Sequence, residues 1–424
     1  MVDLAPVPAR ERIDVLDVLR GFALFGVLVA NALWYFSGFA ELSGQDALRL
    51  PANPLDPAVF ELERFFVSGK FISIFSFLFG MGFALQMQRA AEAGAPVMRL
   101  YLRRMLWLLA FGIAHASLAF YGDVLHLYAL LGLLLIGWVA RSERSLIGWG
   151  LAFAVVLPVA VPALQWALPA LTDGAIDPEA MTEARRAVAI AQHAAFAGSS
   201  YAGVIRANTV DFWSRISTDV VLGSALATFG KFLLGVWAGR TGLLVRASLA
   251  SAGSDDASLT WMRRGAAWGL VIGVACEGIV VADAAVPAMG AGTWAATIAE
   301  TALWHAGVLA LAASYVCVIV LLFTRRDWNR TLGVLAPVGR MALTNYLGQS
   351  LACIFVFYGV GLGWYGRVGP TAVVGIAVVV FAAQAVASAW WLRHFQFGPA
   401  EWAWRSLTYG RRQPFRRPVA GMRN

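Results

Sequence analysis

Charged residues are scarce in this sequence. They make up 14% of its 424 residues, whereas soluble globular proteins carry about 25%. Hydrophobic residues account for 59% of the chain, and the mean hydropathy is +0.68. This composition excludes a large soluble domain and predicts a polytopic membrane protein.

Cysteine is also rare, and the motifs of two common enzyme classes are missing. The three cysteines lie inside apolar stretches and form no CxxC pair, so neither a disulfide framework nor a cysteine-ligated metal is expected. The chain has no zinc-binding HExxH motif and no serine-centred GxSxG motif. The net charge of +8 would suggest nucleic acid if the basic residues formed a groove, but they fall between apolar runs. We therefore expect neither a bound metal nor a nucleic-acid partner.

What the chain does have is a series of long apolar runs. A membrane-spanning helix needs about 20 mostly apolar residues, and ten stretches meet that requirement. We therefore predict an all-α, polytopic membrane helical bundle that forms a single integral membrane domain over residues 1–424. The predicted spans are 15–36, 59–88, 105–121, 124–140, 146–169, 218–239, 265–283, 294–323, 334–359 and 371–392.

Basic residues are unevenly distributed between the two sides of the predicted bundle. With ten spans both termini lie on one side, whose loops hold about 24 basic residues against about seven on the other. Because such an excess marks the cytoplasmic face, we expect both termini in the cytoplasm, including a basic tail at 394–424. The longest outer segment, 170–217, contains an alanine-rich stretch with scattered charges that predicts an amphipathic helix. Two interpretations of it are open: a lid or acceptor-binding element, and a tolerated surface insertion.

Ionisable residues are costly inside a membrane, so those within or beside spans are candidates for function. In the stretch YGDVLH, Asp123 and His126 lie three residues apart at the outer turn between the third and fourth spans. Residues three apart share a helix face, and a carboxylate that orients a neutral imidazole makes a general base. We predict Asp123 and His126 as the catalytic pair. The structural alternatives are that Asp123 caps the fourth helix and that His126 only hydrogen-bonds at the interface.

Five further residues are candidates for substrate contacts or for hydrogen-bond donors to an oxyanion: two basic residues, His115 and Lys70, and three amides. His115 lies in the preceding span and is expected nearer the middle of the membrane. The chain has two lysines, Lys70 and Lys231, and each opens a GKF stretch on the outer side where its ammonium can snorkel or hold an anion. The remaining candidates are amides within spans, whose alternative role is hydrogen bonding between helices: Asn31, Asn345 and Gln349.

Five blocks of the chain together resemble the YeiB-like family of bacterial inner-membrane proteins. In chain order they are RIDVLDVLRGFALFGVLVAN, KFISIFSFLFGMGFALQ, YGDVLHLYALLG, GRMALTNYLGQS and FQFGPAEWAWRSLTYGRRQPF. That family is grouped with the transmembrane acyltransferases, which include the lysosomal heparan-glucosaminide N-acetyltransferase. The resemblance implies a helical bundle in which a histidine and its polar neighbours transfer an acyl group from cytoplasmic acyl-coenzyme A to an acceptor on the far side. Asp123 and His126 are the residues of this chain that match.

The candidate residues named above are compatible with acyl transfer. Acyl transfer from a thioester needs a base for the acceptor and donors for the developing oxyanion. Basic residues at the cytoplasmic side could bind acidic lipid headgroups or the phosphates of acyl-coenzyme A, and we predict four of them as the cofactor-binding set: Arg20, Arg405, Arg411 and Arg412. We thus expect a membrane-bound acyltransferase of the bacterial cytoplasmic membrane, with acyl-coenzyme A as donor. A glycan, a lipid or a small molecule as acceptor stays open, as does a homodimer.

Two other classes of function stay open. A transporter or exporter would use buried ionisable residues for ion coupling or substrate binding and would have a central cavity open to either side in turn. Its candidate residues are Asp123, Lys70, Lys231, Glu277 and Glu300. In a scaffold or lipid-binding protein the polar groups would only join helices, and replacing His126 would change stability alone.

Overall fold

The computed structural model describes residues 14–39, 53–94, 97–171, 178–216, 219–251, 254–285 and 293–417. Over these residues the chain is a bundle of α-helices, with an isolated antiparallel bridge between Phe395 and Arg416 and no β-strand. The predicted all-α class is therefore confirmed. The first thirteen residues and the end of the predicted basic tail lie outside the described residues.

The helices are numbered here in chain order, and short π or 3-10 turns extend α1, extend α5 and join α6 to α7. Their bounds are α1 Asp14–Asn31, α2 Asp56–Phe66, α3 Lys70–Glu92, α4 Val97–Leu118, α5 Leu125–Leu134, α6 Glu143–Leu151, α7 Leu157–Leu171, α8 Pro178–Ala197, α9 Tyr201–Ile216, α10 Asp219–Thr241, α11 Leu243–Leu249, α12 Ala257–Ala285, α13 Trp294–Phe323, α14 Arg326–Gly333, α15 Ala336–Arg340, α16 Ala342–Phe357, α17 Pro370–His394 and α18 Pro399–Tyr409.

Seven helical segments among the described residues are long and apolar enough to cross a membrane, so the chain is a multi-pass membrane protein. They are Asp14–Phe36, Asp56–Glu92, Glu143–Leu164, Leu222–Thr241, Ala257–Asp283, Trp294–Phe323 and Pro370–His394. The other three predicted spans are shorter or more charged. The run at 124–140 is the short helix Leu125–Trp138, α4 carries arginines in its first turns, and the run at 334–359 is split.

The split in the ninth predicted span is at Met341. This residue has φ −109° and ψ 37°, outside the helical region, so α15 ends and α16 begins as a separate helix. The first helix α1 crosses α15 at glycines, because a Cβ on Gly21 or Gly339 would collide with the backbone of the other helix. An arginine adjoins each of these glycines in the chain: Arg20 precedes Gly21, and Arg340 follows Gly339.

Within the predicted outer segment, residues 178–216 form two helices, α8 and α9, which pack against the bundle. Phe196, Val204 and Phe212 are buried, and the Tyr201 hydroxyl donates a hydrogen bond of 2.9 Å to the Leu118 carbonyl at the end of α4. Gly359 donates its backbone N–H to the Phe196 carbonyl. The segment is therefore part of the apolar core at the end of the bundle opposite the arginines.

Candidate active site

Asp123 lies in the turn between α4 and α5, 4% exposed, and both its oxygens accept hydrogen bonds. Oδ1 lies 2.8 Å from His115 Nδ1 and accepts from the Tyr346 hydroxyl at 3.3 Å. Oδ2 lies 3.2 Å from His126 Nδ1 and accepts the His126 backbone N–H at 3.1 Å. The carboxylate thus caps the start of α5, as the structural alternative required, and also joins two imidazole rings.

The carboxylate fixes the tautomer of both rings. An ionised carboxylate only accepts hydrogen bonds, so Nδ1 of each ring is the nitrogen that donates to it, and Nε2 is the acceptor in the neutral form of either ring. Nε2 of His115 lies 3.0 Å from the Ser350 hydroxyl oxygen. Nε2 of His126 has no hydrogen-bond partner among the described residues, while the ring packs edge-on against Phe212 with centroids 4.8 Å apart. The site therefore holds two imidazole rings oriented by one carboxylate.

The position of His115 differs from the sequence-based expectation. We expected it nearer the middle of the membrane, but α4 ends at Leu118, and the amides of Ala119 and Phe120 both donate to the His115 carbonyl. His115 is thus in the last turn of α4, and the chain turns back immediately. The reversal brings Asp123 beside the ring only eight residues later.

A glycine lets the two helices approach closely enough for this contact. A Cβ on Gly112 would collide with the backbone nitrogen of His126, so α4 and α5 pack backbone to backbone at that level. Gly112 lies three residues before His115 and on the same helix face. From the outer side, Asn208 of α9 accepts the Tyr121 backbone N–H at 3.3 Å and holds the turn in place.

A cavity of about 250 Å³ runs through the bundle towards this site. At one end four arginines line it: Arg20, Arg104, Arg340 and Arg405. Its middle is apolar and aromatic, and at the other end it is lined by Val124, Leu125 and Tyr346, which adjoin Asp123 or contact it. Arg104 and His115 are both on α4, and eleven residues of helix span about 16 Å at 1.5 Å per residue. The cavity thus connects the arginines to the Asp123 turn.

The arginine end of the cavity contains a single carboxylate, Glu401, among its lining residues. Its oxygens accept hydrogen bonds from the backbone N–H of Leu343 at 2.6 Å and from the backbone N–H and hydroxyl of Thr344 at 3.1 and 2.5 Å. These contacts cap α16, whose N-terminus has the positive end of the helix dipole. Arg104 lies 4.6 Å from the Trp404 ring centroid. The mouth is therefore positively charged overall.

The structure separates the predicted cofactor-binding arginines into two groups. Arg20 and Arg405 line the cavity. Arg411 and Arg412 are exposed and do not line it, and Arg412 lies over the Trp402 ring at 5.7 Å. Arg104 and Arg340, which the sequence analysis did not propose for binding, line the cavity together with Arg20 and Arg405.

The other predicted residues lie outside the contacts of Asp123. Asn345 donates to Ser388 at 2.9 Å, and Gln349 donates to Gln384 at 3.2 Å, so both join α16 to α17. Asn31 is the half-buried last residue of α1.

The two lysines have different positions in the structure. Lys70 is buried, forms an ion pair with Glu277 at 2.8 Å and donates to the Arg64 carbonyl at 2.9 Å. Lys231 is the thirteenth residue of α10 and is buried there, so it lies within that helix and not at its first turn.

Tyr346 and Ser350 are the site residues that the sequence analysis missed. They are four residues apart on α16, in TNYLGQS, and so lie on one helix face. The sequence analysis selected the two amides of the same stretch, Asn345 and Gln349, which lie on the adjacent face of the helix. The stretch GQSLA around Ser350 also differs from the GxSxG pattern by one small residue, so a relaxed motif search would have marked it.

The sequence is similar to a family and to individual proteins. Residues 244–411 match the family described as "Protein of unknown function (DUF418)". The Bacillus subtilis protein "Uncharacterized protein YxaH" is 33% identical, with 98% of each chain covered. "Uncharacterized protein YeiB" of Escherichia coli is 27% identical over 94% of this chain and 96% of its own. No solved structure matches the chain.

Proposed function

The chain belongs to the YeiB-like family, and from the geometry of its buried site we propose that it is a membrane-bound acyltransferase. In this proposal it takes an acyl group from acyl-coenzyme A on the cytoplasmic side of the bacterial inner membrane. It gives that group to an acceptor at the opposite face.

The observation that carries the proposal is the cavity between the four arginines and the Asp123 turn. Coenzyme A combines a multiply phosphorylated nucleotide with a long, nearly neutral pantetheine arm that ends in the thioester. Arginine forks bind phosphate oxygens in bidentate fashion, and the apolar wall suits the arm. An arm of roughly 15–20 Å compares with the roughly 16 Å from Arg104 to His115 along α4, so the thioester would arrive beside Asp123.

His126 is the proposed base for the acceptor. Its Nε2 is an acceptor without a hydrogen-bond partner among the described residues, and its side chain is the more exposed of the two rings, 13% against 5% for His115. The imidazole would take the proton from an acceptor hydroxyl or amine as the nucleophile attacks the acyl carbon. Asp123 would hold the ring in its tautomer and balance the charge of the imidazolium that forms. Phe212 of α9 packs on this ring, so α9 would be the lid on the acceptor side.

A transporter is the alternative proposal, and the buried Lys70–Glu277 ion pair is the observation that favours it. Coupling groups of a transporter would line its substrate path. Neither Lys70 nor Glu277 lines the cavity described above, and Arg64, whose carbonyl Lys70 binds, does not line it either. Asp123 is also outside the lining, but Tyr346, which hydrogen-bonds to it, is part of the cavity wall. The acyltransferase therefore has the stronger support.

The experiment uses the purified full-length protein with acetyl-, succinyl- and palmitoyl-coenzyme A. It measures binding by calorimetry and thioester cleavage by the thiol released. We expect at least one donor to bind. His126→Gln should keep that binding but lower the steady-state rate of cleavage by about 10²–10⁴-fold, the usual contribution of a general base.

Gly82 provides a variant that blocks the cavity with little strain. It lines the cavity, and a Cβ built there meets no atom within 4 Å, so Gly82→Leu should fill the passage and weaken donor binding at least about tenfold. Gly375 of α17 is an exposed helical glycine with the same open surroundings, and Gly375→Leu is the matched control. Failure of every donor to bind, or equal binding by the two leucine variants, would contradict the proposal.

A further inference from the structure

Ser350, His115 and Asp123 form a chain of hydrogen bonds across three segments of the fold. The Ser350 oxygen lies 3.0 Å from His115 Nε2, and His115 Nδ1 lies 2.8 Å from Asp123 Oδ1. Building on the proposed acyl transfer, we propose that Ser350 is a nucleophile that carries the acyl group as a covalent ester between donor and acceptor.

The direction of the hydrogen bonds suits this role. Because Asp123 accepts from Nδ1–H of His115, Nε2 of the neutral ring is an acceptor, and in that form the Ser350 hydroxyl is the donor to it. The serine proton therefore already points at a base that is oriented by a carboxylate, which is the arrangement that activates a hydroxyl for attack on an acyl carbon. Ser350, His115 and Asp123 are 2%, 7% and 4% exposed, so water does not compete for these contacts.

Other buried serines of the chain are bonded differently. Ser73 and Ser76 each donate to the carbonyl four residues earlier in α3, the usual way in which a helical serine satisfies its hydroxyl. Ser388 is bonded to the side-chain amide of Asn345. Ser350 differs from these three in having an imidazole nitrogen as its partner.

The site holds one base for each half of a two-step reaction. In the first step Ser350 Oγ attacks the thioester carbon, His115 takes the serine proton, the C–S bond breaks, and the proton passes to the leaving thiolate. The product is an acyl-serine ester and free coenzyme A. In the second step the acceptor attacks the ester, His126 takes the acceptor proton, and the ester C–O bond breaks. The proton taken up by His126 is then delivered to the Ser350 oxygen, which restores the serine hydroxyl.

Tyr346 controls access from the cavity to Ser350. The cavity ends at Tyr346, which lies one helical turn before Ser350 on the same face of α16. Its ring centroid is 5.2 Å from that of His115, and its hydroxyl bond to Asp123 is 3.3 Å long. The thioester must come within about 3–3.5 Å of the serine oxygen to react, so the Tyr346 ring turns aside when the donor enters.

The test uses two probes on the full-length protein, each followed by peptide mass spectrometry. Diisopropyl fluorophosphate reacts with activated serines and needs no acyl donor, and acetyl-coenzyme A followed by an acid quench traps an acyl-enzyme. We expect both probes to modify Ser350. Ser350→Ala should abolish the modification, and His115→Gln should slow it by about 10²–10⁴-fold. With acetyl-coenzyme A, His126→Gln should accumulate the acyl-enzyme because only the second step is blocked.

Ser388→Ala is the matched control, since it removes a buried α17 hydroxyl near the same helix and should leave labelling unchanged. Ser350→Cys keeps a nucleophile at the position, and a trapped thioester there would show that a folded variant still reacts. If diisopropyl fluorophosphate labels Ser350 but no acyl-coenzyme A is cleaved, the inference stands and the proposed donor is wrong. Acyl transfer that continues in Ser350→Ala, or no modification of Ser350 by either probe, would overturn the inference.

Discussion

Two buried carboxylates of the protein, Glu277 and Asp123, differ in the number of side chains that each one binds. Glu277 faces a single lysine, Lys70, at 2.8 Å, and the two side chains are 3% and 0% exposed. Asp123 is equally buried but serves two imidazole rings and a tyrosine hydroxyl. The first centre pairs opposite charges one to one and joins α3 to α12. The second is a carboxylate that binds Nδ1 of two rings, and Nε2 of each ring points away from it.

This difference separates a structural centre from a reactive one. A buried ion pair stabilises the fold mainly because breaking it would leave an uncompensated charge. A carboxylate that orients neutral rings leaves their second nitrogens available for proton transfer. The cavity also reaches the contacts of Asp123 and includes neither Lys70 nor Glu277 in its wall. Replacements at the two centres should therefore affect different measurements.

The largest expected effect is that of Asp123→Asn on activity. An amide has the size of the carboxylate but can donate as well as accept, so the rings lose their common tautomer. Loss of an orienting aspartate in this way costs about 10⁴-fold in turnover, and we expect a fall of about 10³–10⁴-fold in thioester cleavage. Circular dichroism in detergent should show retained helix content. Activity close to that of the wild type would place Asp123 among the structural groups.

The second prediction concerns stability at the other centre. Lys70→Met leaves Glu277 buried without its partner, and breaking a buried pair costs about 3–5 kcal/mol of unfolding free energy. The double variant Lys70→Met/Glu277→Leu removes both charges and should recover most of that loss in thermal unfolding. The double variant also tests the predicted substrate role of Lys70. A large loss of acyl transfer in a stable double variant would show that Lys70 acts in substrate binding or catalysis.

The smallest expected effect is a pH dependence at the arginine end. Burial raises the pKa of the Glu401 carboxyl above its ordinary 4.5, although hydrogen bonds from Thr344 and Leu343 act in the opposite direction. The protonated form is thus favoured in the folded protein. This contribution to the unfolding free energy is fully present below pH 4.5 and is lost as the pH rises through the raised pKa.

Glu401→Gln should make the unfolding midpoint less dependent on pH across that window, by a few degrees at most. The exposed Glu143 provides the control, and Glu143→Gln should keep the wild-type profile. A wild-type midpoint that rises through the same window would contradict the assignment to Glu401.

The sequence predicted the helical membrane fold because long apolar runs have one stable solution in a bilayer, where each backbone group must bond within its own helix. It also predicted the pairing of Asp123 with His126, since residues three apart on one turn are always neighbours. The contacts of Asp123 with His115 and Tyr346 were not predictable in this way. They depend on where α4 ends and on which face of α16 turns inward, and neither is a local property of the chain.

The shared carboxylate has a consequence for how a disturbance spreads through the site. Its two oxygens bind rings on different helices, His115 of α4 and His126 of α5. A displacement of Asp123 therefore misaligns both imidazole rings together, whereas loss of either ring leaves the other one still attached to the carboxylate. The alignment of the whole site thus depends on the position of one side chain.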